Sequence, residues 1–333
     1  MDSLVSKVVN LGIKRIHGNI IIETEGEPAR IPGSWPWEDV ANYYGALYHS
    51  FNYRDNTYTI NLKSGKPGTQ TKIVSVEPSV PGVKLRNEVM ASAKNANDAW
   101  IYGGPETATL LIQGTIPANR SSFAVKGAMH HPDACFRAEL EKRLKGKGIT
   151  LDKQKIEDGE RHALFTLVSP FLKDIVYYTN KNSINLFAEA LGELISPTDY
   201  ARTVKAELSG MGIDSCGITL KDASGLSPAN AVPAEVFTDL LIWAKGHLSD
   251  VFVASLPQGN VDWGLRIYSD HPILRGNILA KTGSMSGVRA LAGYLKTQRG
   301  ETLAFTILVN NYVGDPVKVQ EIIRDLLKEF ADK

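Results

Sequence analysis

Two hydrophobic rhythms divide the chain. In its first part apolar and polar residues alternate with period two, as in Thr57-Tyr58-Thr59-Ile60-Asn61-Leu62 and Lys72-Ile73-Val74-Ser75-Val76, the pattern of strands that bury one face. Ser64-Gly65-Lys66-Pro67-Gly68 between them has the composition of a turn. Leu4, Val8 and Leu11 recur at helical spacing, and Gly12 stops that helix. Gly18 to Glu23 reads as a buried strand, and Arg30 to Tyr44, rich in proline, glycine and aromatics, as an ordered loop. From Arg30 to about Val125 the pattern predicts a β-rich unit.

From about Asp133 the period changes to that of helices. Phe136, Leu140 and Leu144 step by four, and Phe187, Leu191, Leu194 and Ile195 form a second stripe just after Asn182-Ser183. Val204, Leu208 and Met211 make a third stripe. Val236, Leu240, Leu241 and Ala244 make a fourth, following Pro233 as a helix start should. Strand signals return in Ile278-Leu279-Ala280, Val288 to Leu295 and Thr302 to Val309, with a turn at Thr297-Gln298-Arg299-Gly300. An amphipathic helix through Val319, Ile322, Ile323, Leu326, Leu327 and Phe330 closes the chain. Strands followed by a terminal helix predict an antiparallel sheet with helices on its faces, in an α+β, multidomain chain. The domain change is expected near residue 160, in the charged connector from Asp152 to Arg161, dividing the chain into 1–158 and 159–333.

Composition narrows the function classes. A length of 333 residues allows two domains, and 37 basic against 36 acidic residues leaves a net charge of +1, which excludes a general nucleic-acid binder. The basic run Glu141 to Lys147 reads as a solvated helix end. No run of about 18 apolar residues predicts a transmembrane helix, and Met1 to Lys7 lacks the layout of a signal peptide. Two cysteines, Cys135 and Cys216, exclude a disulfide framework and a four-cysteine zinc site, but leave one bridge or two free thiols open.

Candidate chemistry is thin at the histidines. No HExxH is present, and His130-His131-Pro132-Asp133-Ala134-Cys135 clusters possible zinc ligands around a proline that breaks a regular face, so a surface loop is expected there. No serine sits in a G-x-S-x-G elbow. Three strings carry more: Lys281-Thr282-Gly283 at the end of a strand, Ser183-Ile184-Asn185 at the start of a helix, and Asp222-Ala223-Ser224-Gly225-Leu226-Ser227 between helices. Alone, Ser183 reads as an N-cap, Lys281 as a solvated strand-end charge and Ser224-Gly225 as an ordinary turn.

Together they follow the order S-x-N then K-T-G of penicillin-recognising serine acyltransferases, with 281 − 183 = 98 residues between them. A lysine ammonium on an edge strand attracts a terminal carboxylate, and the Thr282 hydroxyl can hydrogen-bond it. The strand's free backbone pairs with an extended peptide, and Gly283 leaves room for it. Ser183 can relay a proton to the leaving amine and Asn185 can hold the substrate amide.

On these residues the chain resembles the class C low-molecular-mass penicillin-binding proteins, the D-alanyl-D-alanine carboxypeptidase/endopeptidases. Lys221 to Ser227 is similar to that family's D-G-S-G-L-S segment, with Ala223 in place of glycine. Ala280 to Val288 followed by Leu291-Ala292-Gly293-Tyr294 is similar to its K-T-G strand and the next strand, and Ser255-Leu256-Pro257 and Gly264-Leu265-Arg266 also fit. Gly12 to Ile16 before Gly18-Asn19, and Trp35-Pro36-Trp37-Glu38-Asp39, resemble its inserted domains. The resemblance implies a transpeptidase-like domain plus a β-rich insert, no cofactor, no metal, and action on peptidoglycan stem peptides in the periplasm or at the outer cell surface. It implies Ser183, Asn185 and Lys281 as catalytic and Thr282, Gly283 and Ser284 as substrate-binding. Trp37 and Asp39 would meet the ammonium of a stem-peptide side chain, unless Trp35 and Trp37 only pack the insert.

One element of the pattern is missing. No lysine has a serine three positions before it; Thr69 before Lys72 and Thr150 before Lys153 are the only aliphatic hydroxyls at that spacing, in the wrong contexts. The expectation is a chain that starts inside the inserted domain, without the S-x-x-K helix. Acyl transfer needs an activated nucleophile and its base, so negligible hydrolysis and no covalent β-lactam adduct are expected. An apolar groove or patch is expected where the helix would sit. The alternatives are a non-catalytic peptide-binding or scaffold protein of the same fold and a metal-dependent hydrolase using His130, His131 and Cys135.

Overall fold

The computed structural model describes residues 1–25, 30–152, 160–248 and 250–332. The chain separates into two compact units, residues 1–31 with 35–169 and residues 32–34 with 170–333. The expected connector from Asp152 to Arg161 lies, apart from its ends, outside the described residues, as does Lys153.

The first unit opens with α1 (Asp2–Asn10), which ends before Gly12 at a φ of +75°, and β1 (Arg15–His17). Six strands follow: β2 (Thr57–Lys63), β3 (Lys72–Glu77), β4 (Lys84–Ser92), β5 (Asp98–Tyr102), β6 (Thr109–Pro117) and β7 (Phe123–Ala128). Helix α2 (Pro132–Gly146) and β8 (Thr150–Asp152) complete it. The six strands form two three-stranded sheets, ordered β3-β2-β7 and β4-β6-β5. The alternation read from the sequence is the burial pattern of β2, whose Tyr58, Ile60 and Leu62 point inward. They meet Val89, Ile101, Leu110, Ile112 and Ile116 of the other sheet in one core. Val5 of α1 packs with Leu140 and Leu144 of α2 in a second cluster.

Two expectations fail here for local reasons. Gly18 to Glu23 is not a strand; the extended segment is β1, three residues earlier, paired in parallel with β8. Its partner ends at Asp152, opposite His17, and Gly18 turns away with a φ of +87°, so the following apolar residues have no ladder to join. His130 to Cys135 is not a surface loop. Pro132 occupies the first position of α2, where its missing N–H costs nothing, and His130 and Cys135 are buried.

The second unit carries α3 (Leu172–Asn182), α4 (Asn185–Ile195), α5 (Tyr200–Gly210), α6 (Ala234–His247) and α7 (Asp250–Ser255). Then come β9 (Ile278–Met285), β10 (Val288–Lys296), β11 (Thr302–Val309) and α8 (Pro316–Ala331). The three strands form an antiparallel sheet ordered β11-β10-β9, with β9 and β11 at its edges. Alternation along β10 sends Leu291 and Leu295 to one face, against Ile323, Leu327 and Ala331 of α8, and Ala292 and Tyr294 to the other, against Leu241 of α6 and Leu256. The buried Tyr294 hydroxyl is satisfied by donating to the Leu241 carbonyl at 2.6 Å. Gly293 is required between them, because a Cβ there would stand 2.1 Å from the Leu279 carbonyl oxygen. Helix α3 buries none of its residues fully, and Phe171 and Leu172 at its start are 75% and 60% exposed. Cys135 and Cys216 are both free thiols. No helix among the described residues is long and apolar enough to cross a membrane.

Candidate active site

Helices α3 and α4 meet in a two-residue elbow, and the elbow presents Ser183. Ser183 is not the N-cap that its sequence position suggested. It caps the C-terminus of α3 in the left-handed region (φ 54°, ψ 53°), with its N–H donating to the Thr179 carbonyl, and Ile184 is the N-cap of α4. A non-glycine residue in this region costs on the order of 1 kcal/mol and persists only when its surroundings hold it. They do so from both sides. Asn180 of α3 donates to Ser255 Oγ at 2.8 Å, and Lys181 Nζ bonds the Leu256 carbonyl at 2.7 Å and Asp262 at 3.0 Å.

On the other side, Glu189 of α4 accepts the backbone N–H groups of Ala223 (3.2 Å) and Ser224 (2.8 Å). Burial raises the pKa of Glu189, against the lowering effect of these donors. The turn it holds is also closed from within. Asp222 accepts from Gly225 N at 2.9 Å and Asn230 Nδ2 at 2.6 Å through one oxygen, and from Ser227 N at 2.5 Å through the other. A Cβ on Gly192 would lie 2.5 Å from the Ala223 Cβ, so Gly192 makes room for the alanine at this position. Glu189 and Gly192 escaped the sequence reading. An acid four residues after Asn185, on a helix otherwise striped with apolar residues, was the available signal.

Lys281 reaches the elbow from β9. Its Nζ donates to Ser183 Oγ at 2.7 Å and to the Thr282 carbonyl at 2.7 Å. Burial lowers its pKa to about 8. The edge beside it is half covered. Ala280 N donates to the Pro257 carbonyl and Gly259 N to the Ile278 carbonyl, both at 2.9 Å, so the backbone groups of Ile278 and Ala280 face away from β10. By the period of an antiparallel strand, those of Thr282 and Ser284 face the same way. Beyond Ala280 that edge has no neighbouring strand among the described residues.

The structure therefore brings Ser183 and Lys281 together, with Thr282, Gly283 and Ser284 next along the same strand. Asn185 is the first residue of α4, two positions from Ser183. Gly283 faces Ala290 across the ladder, where a Cβ would approach the alanine methyl to 3.2 Å. Trp37 and Asp39 lie in the first unit. Trp37 stacks over Gly104 and is 59% exposed, whereas Trp35 is buried. Asp39 accepts the Tyr44 hydroxyl at 2.9 Å, and its burial raises its pKa. Among the described residues, no three of histidine, cysteine, aspartate and glutamate are placed to hold a metal ion. His130, His131 and Cys135 thus form no zinc site: the His131 ring contacts the Pro105 carbonyl, and burial drives the His130 pKa down to about 4.

An antiparallel sheet covered by helices on both faces, with Lys-Thr-Gly on an edge strand against the serine of a helical elbow, defines the second unit as a penicillin-recognising transpeptidase-like domain. The first unit is β-rich. The sequence profile of the D-Ala-D-Ala carboxypeptidase 3 (S13) family matches residues 1–333, and the chain belongs to that family of serine-type peptidases. It is 25% identical to the D-alanyl-D-alanine carboxypeptidase of Actinomadura sp. (strain R39), over 99% of this chain and 66% of that protein. It is 26% identical to the D-alanyl-D-alanine carboxypeptidase DacB of Haemophilus influenzae, over 94% of this chain and 69% of that protein. The chain spans about two thirds of the length of these relatives. The crystal structure of penicillin-binding protein 4 (dacB) from Haemophilus influenzae superposes with a TM-score of 0.78 at 25% identity, covering 99% of this chain and 78% of that one.

Proposed function

We propose that this protein acts in the D-Ala-D-Ala carboxypeptidase/endopeptidase reaction on peptidoglycan stem peptides. We further propose that the 333-residue chain by itself binds such peptides without releasing D-alanine. The observation that carries the reading is the 2.7 Å contact between Lys281 Nζ and Ser183 Oγ at the open end of the β9 edge. The peptide's terminal carboxylate docks against the Lys281 ammonium and the Thr282 hydroxyl. Its backbone adds to the outward groups of Thr282 and Ser284 as an extra strand. Asn185 orients the scissile amide, and Ser183, already bonded to Lys281, stands where a proton must pass to the leaving amine.

In the first unit, the Trp37 ring and the Asp39 carboxylate are groups that suit an ammonium, through ring face and charge. β-Lactams bear the same carboxylate and fit the same anchor. The periplasm or outer cell surface is the compartment where this substrate occurs. The non-catalytic reading for this chain follows from its sequence, in which no serine stands three residues before a lysine.

Calorimetry with a diacetyl-lysyl-D-alanyl-D-alanine peptide tests the proposal. Removing a charge-assisted bond, worth about 1.5–3 kcal/mol, makes Lys281→Ala bind about 10- to 100-fold more weakly. Equal affinity of the variant refutes the carboxylate anchor. Release of D-alanine by the wild-type chain, abolished in Lys281→Ala, refutes the binding-only reading.

A further inference from the structure

The open part of the β9 edge has a lip on each face of the sheet. Neighbouring side chains of a strand point to opposite faces, so Lys281 meets Ser183 on one face and Thr282 turns to the other. There it meets the turn from Gln258 to Leu265: a Cβ on Gly264 would stand 3.5 Å from Thr282 Oγ1. That turn is pinned. Asp262 accepts Gln258 N at 2.6 Å and Lys181 Nζ at 3.0 Å, Asn260 N donates to Ser269 Oγ at 2.9 Å, and Leu265 is fully buried. Lys181 belongs to α3, so one helix holds both the turn and the elbow. Between the pinned residues Asp262 and Leu265, Trp263 is nonetheless 87% exposed, and Val261 on the same turn is exposed too. One exposed aromatic needs no explanation by itself. What sets Trp263 apart is its place, about 3.8 Å along the chain from the residue that faces the Thr282 hydroxyl.

The same turn closes one end of the groove. The Pro257 carbonyl and the Gly259 N–H take up the outward groups of Ala280 and Ile278, so a peptide strand paired with Thr282 and Ser284 must end its backbone at Thr282. The part of its last residue that remains uncommitted is the side chain. We propose that Trp263 is a specificity-determining residue whose indole covers the side chain of the substrate's C-terminal D-residue. The cleft then favours a peptide whose last residue carries a chain longer than a methyl, or continues through that chain, over one ending in D-alanine. The proposal rests on the carboxylate-anchor reading, which fixes where the last residue lies. D-Norleucine adds three methylenes to the methyl of D-alanine, and a ring that covers half of their surface makes binding about five- to tenfold tighter.

The test is calorimetry of the 333-residue chain with two peptides, diacetyl-lysyl-D-alanyl-D-alanine and diacetyl-lysyl-D-alanyl-D-norleucine. The wild type should bind the norleucine peptide about five- to tenfold more tightly. Trp263→Ala should lose the preference, the norleucine peptide falling to the affinity of the alanine peptide, and Trp263→Phe should keep part of it. The side chain is exposed, so an unchanged urea midpoint is expected for both variants. Tryptophan emission should shift to the blue when the norleucine peptide binds the wild type, and not in Trp263→Ala. Equal affinities in the wild type, or a preference that survives Trp263→Ala, overturn the role of Trp263. If Lys281→Ala weakens both peptides while the preference ignores Trp263, the anchor stands and the Trp263 subsite fails. If Lys281→Ala changes neither affinity while Trp263→Ala removes the preference, the subsite stands and the anchor fails. If neither peptide binds, both readings fall.

Discussion

Replacing Lys281 by methionine should make the second unit's stability less dependent on pH, and the size of the effect follows from where the side chain sits. Burial lowers the Lys281 pKa from 10.5 to about 8, so between these values the unfolded chain binds a proton that the folded chain does not. Stability therefore falls as pH drops from 10.5 toward 8, and below 8 the full penalty is present. At about 1.4 kcal/mol per pH unit the penalty is about 3 kcal/mol at pH 7, about 2 at pH 9 and under 1 at pH 10. Methionine keeps the length of the stem and removes the charge. It also loses the bonds to Ser183 Oγ and the Thr282 carbonyl, about 1 kcal/mol each, which offsets part of the gain without giving the same trend. The assay is urea unfolding by circular dichroism of both proteins from pH 7 to 10, fitted to the transition that the substitution moves. The variant's advantage should shrink by about 2 kcal/mol over that range. A constant difference would mean that Lys281 is not desolvated.

The affinity for a D-alanyl-D-alanine peptide should fall as pH rises through about 8, since the free chain then loses the ammonium that draws the carboxylate; calorimetry across pH 7–9.5 checks this. Glu189→Ala leaves the Ala223 and Ser224 N–H groups without their acceptor, and should cost about 2–5 kcal/mol in urea unfolding, with Glu189→Gln milder. Gly192→Ala should destabilise by forcing its new methyl against Ala223, and Ala223→Gly in the same chain should recover most of the loss, a coupling that a double-mutant cycle measures.

Where a segment's structure depends on its own neighbours, the sequence was legible. The alternation in Thr57 to Leu62 is that of β2, and the four-residue steps from Val236 to Ala244 lie in α6, because burial of one face imposes those periods on any strand or helix. Gly18 to Glu23 misled because an apolar run becomes a strand only where a partner strand continues, and β8 stops at Asp152. The Ser183 cap was misplaced because a serine before a helical stripe is the ordinary N-cap pattern. Here the preceding helix runs up to Asn182 and passes its own end condition to that serine.

By itself the sequence determined the family, the order of the elements and the side chains available for chemistry: Lys-Thr-Gly on a strand, Ser-x-Asn at a helix start and no S-x-x-K. Those are properties of residue type and spacing, which survive unfolding. Tertiary structure alone decided that Lys281 and Ser183, 98 residues apart, stand 2.7 Å from each other, and that Glu189 closes the turn carrying Ser224. It alone decided that the ammonium loses enough water to titrate near 8. Proximity and desolvation are made by packing across long loops, and no local pattern of residues encodes them.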